Sequence, residues 1–270
     1  MASTQLIFSR KPVLPLEICE IVIDMLASKK NNQTSVQDCS CVSRSFLHLC
    51  RKHIFATRKI VNQGAQRKSV ELINRAPAIA NYIRHLELSF GKWDDGPNDF
   101  LCTLQRLTKV ESLTISHWDF LDWRTLQWPV QNALLRLMYL PTFTTLTLRS
   151  VDNFLLADLV HAANLRCLKI LKFYSTTFFE NSTDAAPVTP IILPEKSVQL
   201  RELLFDSEGM SGIKQITDAR RFDGLPVIDL TGLASLSVNV DDMDALRTFL
   251  KQCEYLVKLE LTSKTFPQAS

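Results

Sequence analysis

A chain of 270 residues with a net charge of +3, 46% hydrophobic residues and only seven glycines falls outside the disordered, fibrous and collagen-like classes. It is long enough for one large or two modest domains with a real core. No apolar run reaches the length of a membrane span, because Glu17, Glu20 and Asp24 break the longest N-terminal candidate. Residues 1–13 carry Arg10 and Lys11 with no apolar stretch behind them, so no secretory signal is expected. A soluble protein of the cytosol and/or nucleus is the expectation, with no membrane among its partners. The seven cysteines are odd in number, scattered and without a Cys-x-x-Cys pair, the usage of reduced thiols that serve as small apolar fillers. In that compartment the sequons at Asn32 and Asn181 would not be glycosylated.

In chain order, Pro15 suits the first turn of a helix, where its missing N–H would have found no partner. Ile18, Val22, Met25 and Leu26 then recur at a spacing of about 3.6 and form one apolar stripe, with Glu17, Glu20 and Asp24 off it. Ser28 to Asn32 ends this helix. Thr34 and Gln37 have capping-box spacing and open a second helix that buries Val36, Cys39 and Val42. After Ser43-Arg44-Ser45 a third helix carries Phe46, Leu49, Ile54 and Phe55. That is a dozen or so apolar side chains in about forty residues, fewer than a self-sufficient core usually needs. A protein partner is the natural way to complete it.

The run Leu14-Pro15-x-Glu17-Ile18-x3-Val22-x3-Leu26, followed by Cys39-x2-Val42-Ser43-Arg44-Ser45-Phe46 and His53-Ile54-Phe55, resembles an F-box of the type common in fungal proteins, with Phe46 where that family more often has Trp. The resemblance spans residues 12–56. It implies a three-helix module that binds a Skp-type adaptor and, through it, a cullin. Carried over position by position, the adaptor would meet Leu14, Pro15, Ile18, Val22, Leu26, Val42 and Phe46, some of which would also serve the small core.

Residues 57–82 are expected to form a linker, with a helix from Gln66 to Ala76 ended by Pro77; Gly and Ser are too sparse for a flexible tether. From residue 83 to 270 a unit x-Leu-x-apolar repeats in one phase, with its Leu at Leu86, Leu113, Leu146, Leu168, Leu203, Leu236 and Leu259. The steps, roughly 22 to 35 residues, have room for a strand, a helix and two loops. Helices are expected at Asp99–Leu107, Val130–Leu140, Phe154–Ala163 and Asp241–Cys253, and long loops at Thr176–Gln199 and Gly209–Gly232. This half resembles a leucine-rich repeat, although the Asn or Cys that follows in that family is not consistently present. The expected fold class is thus mixed α/β, an N-terminal three-helix F-box followed by an irregular leucine-rich-repeat-like solenoid with a parallel sheet on its concave face.

Strand alternation would send the Leu side chains inward and place Glu87, Thr114, Thr147, Lys169, Leu204, Ser237 and Glu260 in one outward row, a candidate surface for an unknown protein target. The four tryptophans, Trp93, Trp118, Trp123 and Trp128, cluster where loops follow the first strands. Trp118 and Trp123 join the candidate contacts, because Trp is favoured at interface hot spots.

No phosphate loop, nucleophile elbow, zincin or kinase motif occurs. Asp241-Asp242 reads as a helix start rather than an acid/base pair. Cys39, Cys41, His48, Cys50 and His53 lack the paired spacings of a zinc site. A non-enzyme without catalytic residues, cofactor or metal is expected. Residues 1–84 hold thirteen Lys and Arg against five Asp and Glu. This basic head, with Arg44, Arg51, Lys52, Arg58, Lys59, Arg67 and Lys68, could track phosphates or complement an acidic protein surface. Nucleic-acid binding is disfavoured, since no exposed aromatics are interleaved and no groove-reading motif is present. Three readings follow: the substrate-recognition subunit of an SCF-type ubiquitin-protein ligase, a repeat scaffold for protein interaction without a ligase role, and a nucleic-acid-associated protein.

Overall fold

A computed structural model describes residues 15–29, 33–91, 98–155, 168–179, 197–206, 224–226, 228–239 and 243–262. The chain divides into two units, Met1–Ala56 and Thr57–Ser270.

The first unit holds α1 (Leu16–Ser28), α2 (Gln33–Ser40) and α3 (Arg44–Ile54). Pro15 stands one residue ahead of α1, and its carbonyl accepts from the N–H groups of Ile18 and Cys19 at 3.1 and 3.2 Å. α3 opens on Ser43, whose hydroxyl accepts from the Phe46 N–H at 3.2 Å, satisfying one of the donors a helix start leaves open. Cys19, Ile23, Val36, Leu49 and Cys50 are buried, with Leu26, Ala27, Cys39, Phe46 and Ile54 packed against them. The stripe that packs is therefore Cys19, Ile23, Leu26 and Ala27. Ile18, Val22 and Met25, expected in the same stripe, lie on another face and are exposed. Val42, expected to be buried by α2, follows that helix and is exposed too.

In the second unit, mixed α/β, an eight-stranded sheet is parallel throughout its described pairs. Its strands are β1 (Thr57–Ile60), β2 (His85–Phe90), β3 (Ser112–Asp122), β4 (Thr145–Leu155), β5 (Ile170–Phe179), β7 (Glu202–Phe205), β9 (Ser235–Asn239) and β10 (Lys258–Thr262), in that spatial order. A two-residue pair, β6 (Val198–Gln199) with β8 (Ile228–Asp229), stands apart from it. Among the described residues four α-helices intervene: α4 (Gln63–Arg75), α5 (Asn98–Arg106), α6 (Trp128–Met138) and α7 (Met243–Leu250). Because the sheet's strands follow one another in chain order, every step along the sheet runs in one direction. Parallel neighbours need a crossover connection, which α4, α5, α6 and α7 supply before β2, β3, β4 and β10.

One core runs along the sheet. Leu86 and Leu88 of β2, Leu113 and Ile115 of β3, Leu146 and Leu148 of β4, Leu171 and Phe173 of β5, Leu203 and Phe205 of β7, and Leu236 and Val238 of β9 are all buried. They meet Ile73 of α4, Phe100 and Leu104 of α5, Leu134 and Met138 of α6, and Leu246 and Phe249 of α7. The intervening strand residues are mostly half-buried on the opposite face. Three residues before each first Leu a further apolar side chain enters the core: Ile83, Val110, Phe143, Leu168, Leu200 and Leu233 are all buried.

The backbone repeats as well. The carbonyls of Arg84, Glu111, Thr144, Lys169, Arg201 and Ala234 each accept from two consecutive N–H groups where the next strand begins, at 2.7–3.0 Å. These joints set the register from one strand to the next.

Three expectations need correction. Leu168 is the preceding core residue rather than the first Leu of its unit, and Leu146 pairs with Leu171. Two overlapping apolar triplets, Leu168-x-Ile170 and Leu171-x-Phe173, compete there, and the buried position three residues ahead decides for the second. Phe154 and Leu155, expected to open a helix, close β4 instead, since Phe154 packs against Trp123 at 4.6 Å between ring centroids. The remainder of that expected helix lies outside the described residues. Residues 57–82 contain α4 and also β1, which pairs in register with β2 from Thr57↔His85 to Ile60↔Leu88. The alternation of β1 escapes a hydrophobicity reading because its first core-side residue is Arg58.

Candidate functional site

Two surfaces carry the residues singled out from the sequence. The first belongs to α1, which has three faces. Cys19, Ile23 and Leu26 pack into the helical core. Glu20 and Asp24 form the second face: Lys52 Nζ of α3 lies 2.7 Å from Glu20 Oε1 and 2.9 Å from Asp24 Oδ1, and His53 Nε2 lies 2.7 Å from the same Asp24 oxygen. The hydrogen bond from Lys52 holds the Asp24 carboxyl below its ordinary range, partial burial opposes it, and His53 adds to the lowering. The third face is apolar and open. Ile18, Ile21, Val22 and Met25 share it at helical spacing and are 45–65% exposed. Isolated apolar side chains on a surface are ordinary; a contiguous row of four on one helix face is the mark of a surface meant to be covered.

Of the residues expected to meet an adaptor, Pro15, Ile18, Val22 and Val42 are exposed, whereas Leu26 and Phe46 are half-buried against the helical core. Leu14 lies outside the described residues. Leu16, Ile21 and Met25 are exposed apolar residues that the position-by-position reading did not include. Their signal was present in composition. α1 reads LEICEIVIDMLAS, too apolar around its circumference for a helix with a single buried stripe.

The second surface is the sheet face opposite the core. Pairing places Lys59, Glu87, Thr114, Thr147, Lys172, Leu204, Ser237 and Glu260 in one row. Lys172, and not Lys169, occupies the β5 position. Lys169 sits at the joint before the strand, where its N–H bonds the Thr144 carbonyl at 2.9 Å. Thr147 is buried, and the other named positions are half-buried or exposed. The charges in and beside the row pair off: Lys59 with Glu87 at 2.7 Å, Lys172 with Glu202 at 2.5 Å, and Lys258 with Glu260 at 2.7 Å. One position further along, the Arg149 guanidinium lies 5.0 Å from the centroid of the Tyr174 ring, within cation–π range.

The two candidate tryptophans part company. Trp123 is fully buried, so it is a core residue and not a contact for a target. It packs at a tilt of 50° against the Phe154 ring, and its carbonyl accepts from Gln131 Nε2 at 2.6 Å. Trp118 is 71% exposed. The register of β3 on β4 shifts between Ser116 and Leu121, and residues 117–120 bulge from the ladder there, with Trp118 and Phe120 turned to solvent. His117 stacks beside Trp118 at 5.8 Å between ring centroids, and its Nδ1 accepts from the Asp119 N–H at 3.0 Å. Burial lowers the His117 pKa, and the Asp119 carboxylate only partly offsets this. The net lowering and the Asp119 N–H donated to Nδ1 both favour a neutral ring. Trp93 lies outside the described residues, and Trp128 is exposed at the start of α6.

No family model, curated protein or solved structure matches this chain. Its function is therefore argued from these two surfaces.

Among the described residues no group of three or more His, Cys, Asp or Glu is arranged to hold a metal ion, and no helix is long and apolar enough to cross a membrane. Part of the basic head is engaged internally: Lys52 and Lys59 are ion-paired as above, and Arg58 Nε donates to Ser69 Oγ at 2.8 Å. These groups are less available to a phosphate backbone than their count implies.

Proposed function

We propose that this chain is the substrate-recognition subunit of an SCF-type ubiquitin-protein ligase. In this reading residues 12–56 are an F-box that docks a Skp-type adaptor and, through it, a cullin. Residues 57–82 join it to a leucine-rich-repeat-like domain, which holds a protein target on the solvent face of its sheet. The observation that carries the reading is the open apolar face of α1. An undersized helical core beside a row of exposed Ile18, Ile21, Val22 and Met25 is what a module completed by a partner would present. Ile18 and Val22 are also positions that the F-box resemblance assigns to the adaptor.

The chain contributes no catalytic group in this scheme. It contributes proximity, raising the effective concentration of a target lysine near an activated ubiquitin carried by other subunits. On the second surface, the aromatic bulge of Trp118 and Phe120 and the polar row from Glu87 to Glu260 would meet the target. Paired charges in that row would select by complementarity more than they add affinity.

Co-expression with the adaptor tests the reading. The wild-type chain should co-purify as a one-to-one complex, and Val22→Lys/Met25→Lys should abolish it while leaving far-UV circular dichroism and the unfolding midpoint unchanged. A folded wild type that does not bind the adaptor would remove the ligase reading and leave an interaction scaffold.

A further inference from the structure

We propose that the β10 edge of the sheet is a homodimer seam, at which two copies of this chain pair antiparallel about a two-fold axis through Leu259. β10 pairs with β9 on one side, and among the described residues no strand lies on the other. Leu259 and Leu261 stand in register with Leu236 and Val238 of β9. Those two are 0% and 1% exposed, yet Leu259 and Leu261 are 43% and 51% exposed. Val257, at the joint just before the strand, is more exposed still, as is Tyr255. Among the described residues the apolar layer of the sheet thus runs up to this edge and stays open there, beside a row of backbone groups that no described strand pairs. Such an edge is a template for pairing with another chain.

The sequence of the edge selects the occupant. Val257-Lys258-Leu259-Glu260-Leu261 is self-complementary when read against itself in reverse. With Leu259 opposite its own copy, Lys258 faces Glu260, Glu260 faces Lys258, and Val257 faces Leu261. Directly opposite residues point to the same side of an antiparallel pair. Both charged pairs therefore fall on the solvent face, where Lys258 and Glu260 already lie 2.7 Å apart within one chain. The Leu259–Leu259 pair falls on the core face. A two-fold axis perpendicular to the sheet keeps the two cores on the same side, so the joined sheet buries one continuous layer. Moving the axis one residue in either direction would set Lys258 against Lys258 or Glu260 against Glu260, and like charges directly opposite disfavour pairing. The interface is isologous and closes at two copies.

Sedimentation equilibrium of the full chain tests the seam. The wild type should dimerise at micromolar concentration. Lys258→Glu and Glu260→Lys should each weaken the dimer about tenfold or more. The double reversal Lys258→Glu/Glu260→Lys restores the complementarity and should restore the dimer, which a general loss of folding would not do. A wild type that stays monomeric up to about 100 µM overturns the proposal. So does a dimer whose affinity is indifferent to both single reversals and to Leu259→Asp, or a folded double reversal that remains as weak as the single ones. Lys258 and Glu260 are more than half exposed in the single chain, so the charge reversals should leave thermal unfolding of the dilute monomer unchanged, and the comparison then reads association alone.

Discussion

The helical unit and the sheet unit solve the burial problem differently. The sheet unit stacks the same apolar layer strand after strand, from Ile60 to Val238, so each strand is covered by its neighbours and by the helices between them. Among its described residues the helical unit has five buried apolar side chains, two of them cysteines, and keeps a row of aliphatic side chains in water. A repeating architecture gains core with every step, whereas a three-helix unit of this size cannot spend one helix face on its interior and another on a partner without becoming marginal. Stability and availability for docking are in competition in the first unit and largely separate in the second.

Deleting a core side chain from each unit should expose this contrast. Trp123→Ala, which removes a fully buried indole from between β3, β4 and α6, should cost about 3–5 kcal/mol. It should lower the main unfolding transition while leaving the sheet unit folded at room temperature. Ile23→Ala should cost about 2–4 kcal/mol. That is comparable to the whole stability of a unit this small at roughly 0.05–0.15 kcal/mol per residue. Native-state hydrogen exchange should show α1–α3 losing protection in this variant, with the β2–β5 amides unaffected. If the helical unit keeps its protection, its core is larger than described and the contrast fails.

Two smaller effects sharpen the comparison. Asp24 in the helical unit has a pKa lowered by its Lys52 hydrogen bond. Its contribution is therefore complete above the ordinary Asp value near 3.8 and is lost as pH falls through the lower folded value. The carboxylate is half exposed, so the effect is no more than about 0.5 kcal/mol. Asp24→Asn should destabilise the helical unit by that amount at neutral pH, and the difference from wild type should shrink in acid. In the sheet unit, Ser150 and Ser175 have φ of 53° and 46°, the left-handed region that costs a non-glycine residue energy. Ser150→Gly or Ser175→Gly should raise stability by up to about 1 kcal/mol, and the corresponding alanines should not. Denaturant midpoints with unchanged slopes are the readout.

Periodicity made much of the fold legible. The Leu-x-apolar units locate β2, β3, β4, β7, β9 and β10, and the expected helices near residues 99, 130 and 241 correspond to α5, α6 and α7 within two residues at their starts. It failed where two patterns overlapped or where a charge interrupted one. At β5 the shift from Leu168 to Leu171 moves the surface lysine from 169 to 172, because the unit also includes a buried residue three positions ahead of its first Leu, which the Leu-x-apolar pattern does not contain. At β1 the core-side Arg58 hid the alternation. On the candidate surfaces, exposure was the quantity the sequence could not supply. Trp118 and Trp123 are five residues apart, and only the register shift in β3 sends one into solvent while the other is buried. On α1, apolar residues around most of the helix left open which face would pack. Glu20 and Asp24, drawn to Lys52 and His53, show how that choice was made.

The joints between strands all rest on a backbone carbonyl that accepts from backbone N–H groups, and the residues that supply them are Arg84, Glu111, Thr144, Lys169, Arg201 and Ala234. Two arginines, an acid, a hydroxyl, a lysine and a methyl perform the same task six times. Substitution at these positions leaves the fastening intact, and the helices and loops between them can lengthen or shorten without unfastening it. Such a chain can drift far in letters while its architecture stands still, so its ancestry would be recorded in hydrogen-bond pattern more faithfully than in residue identity.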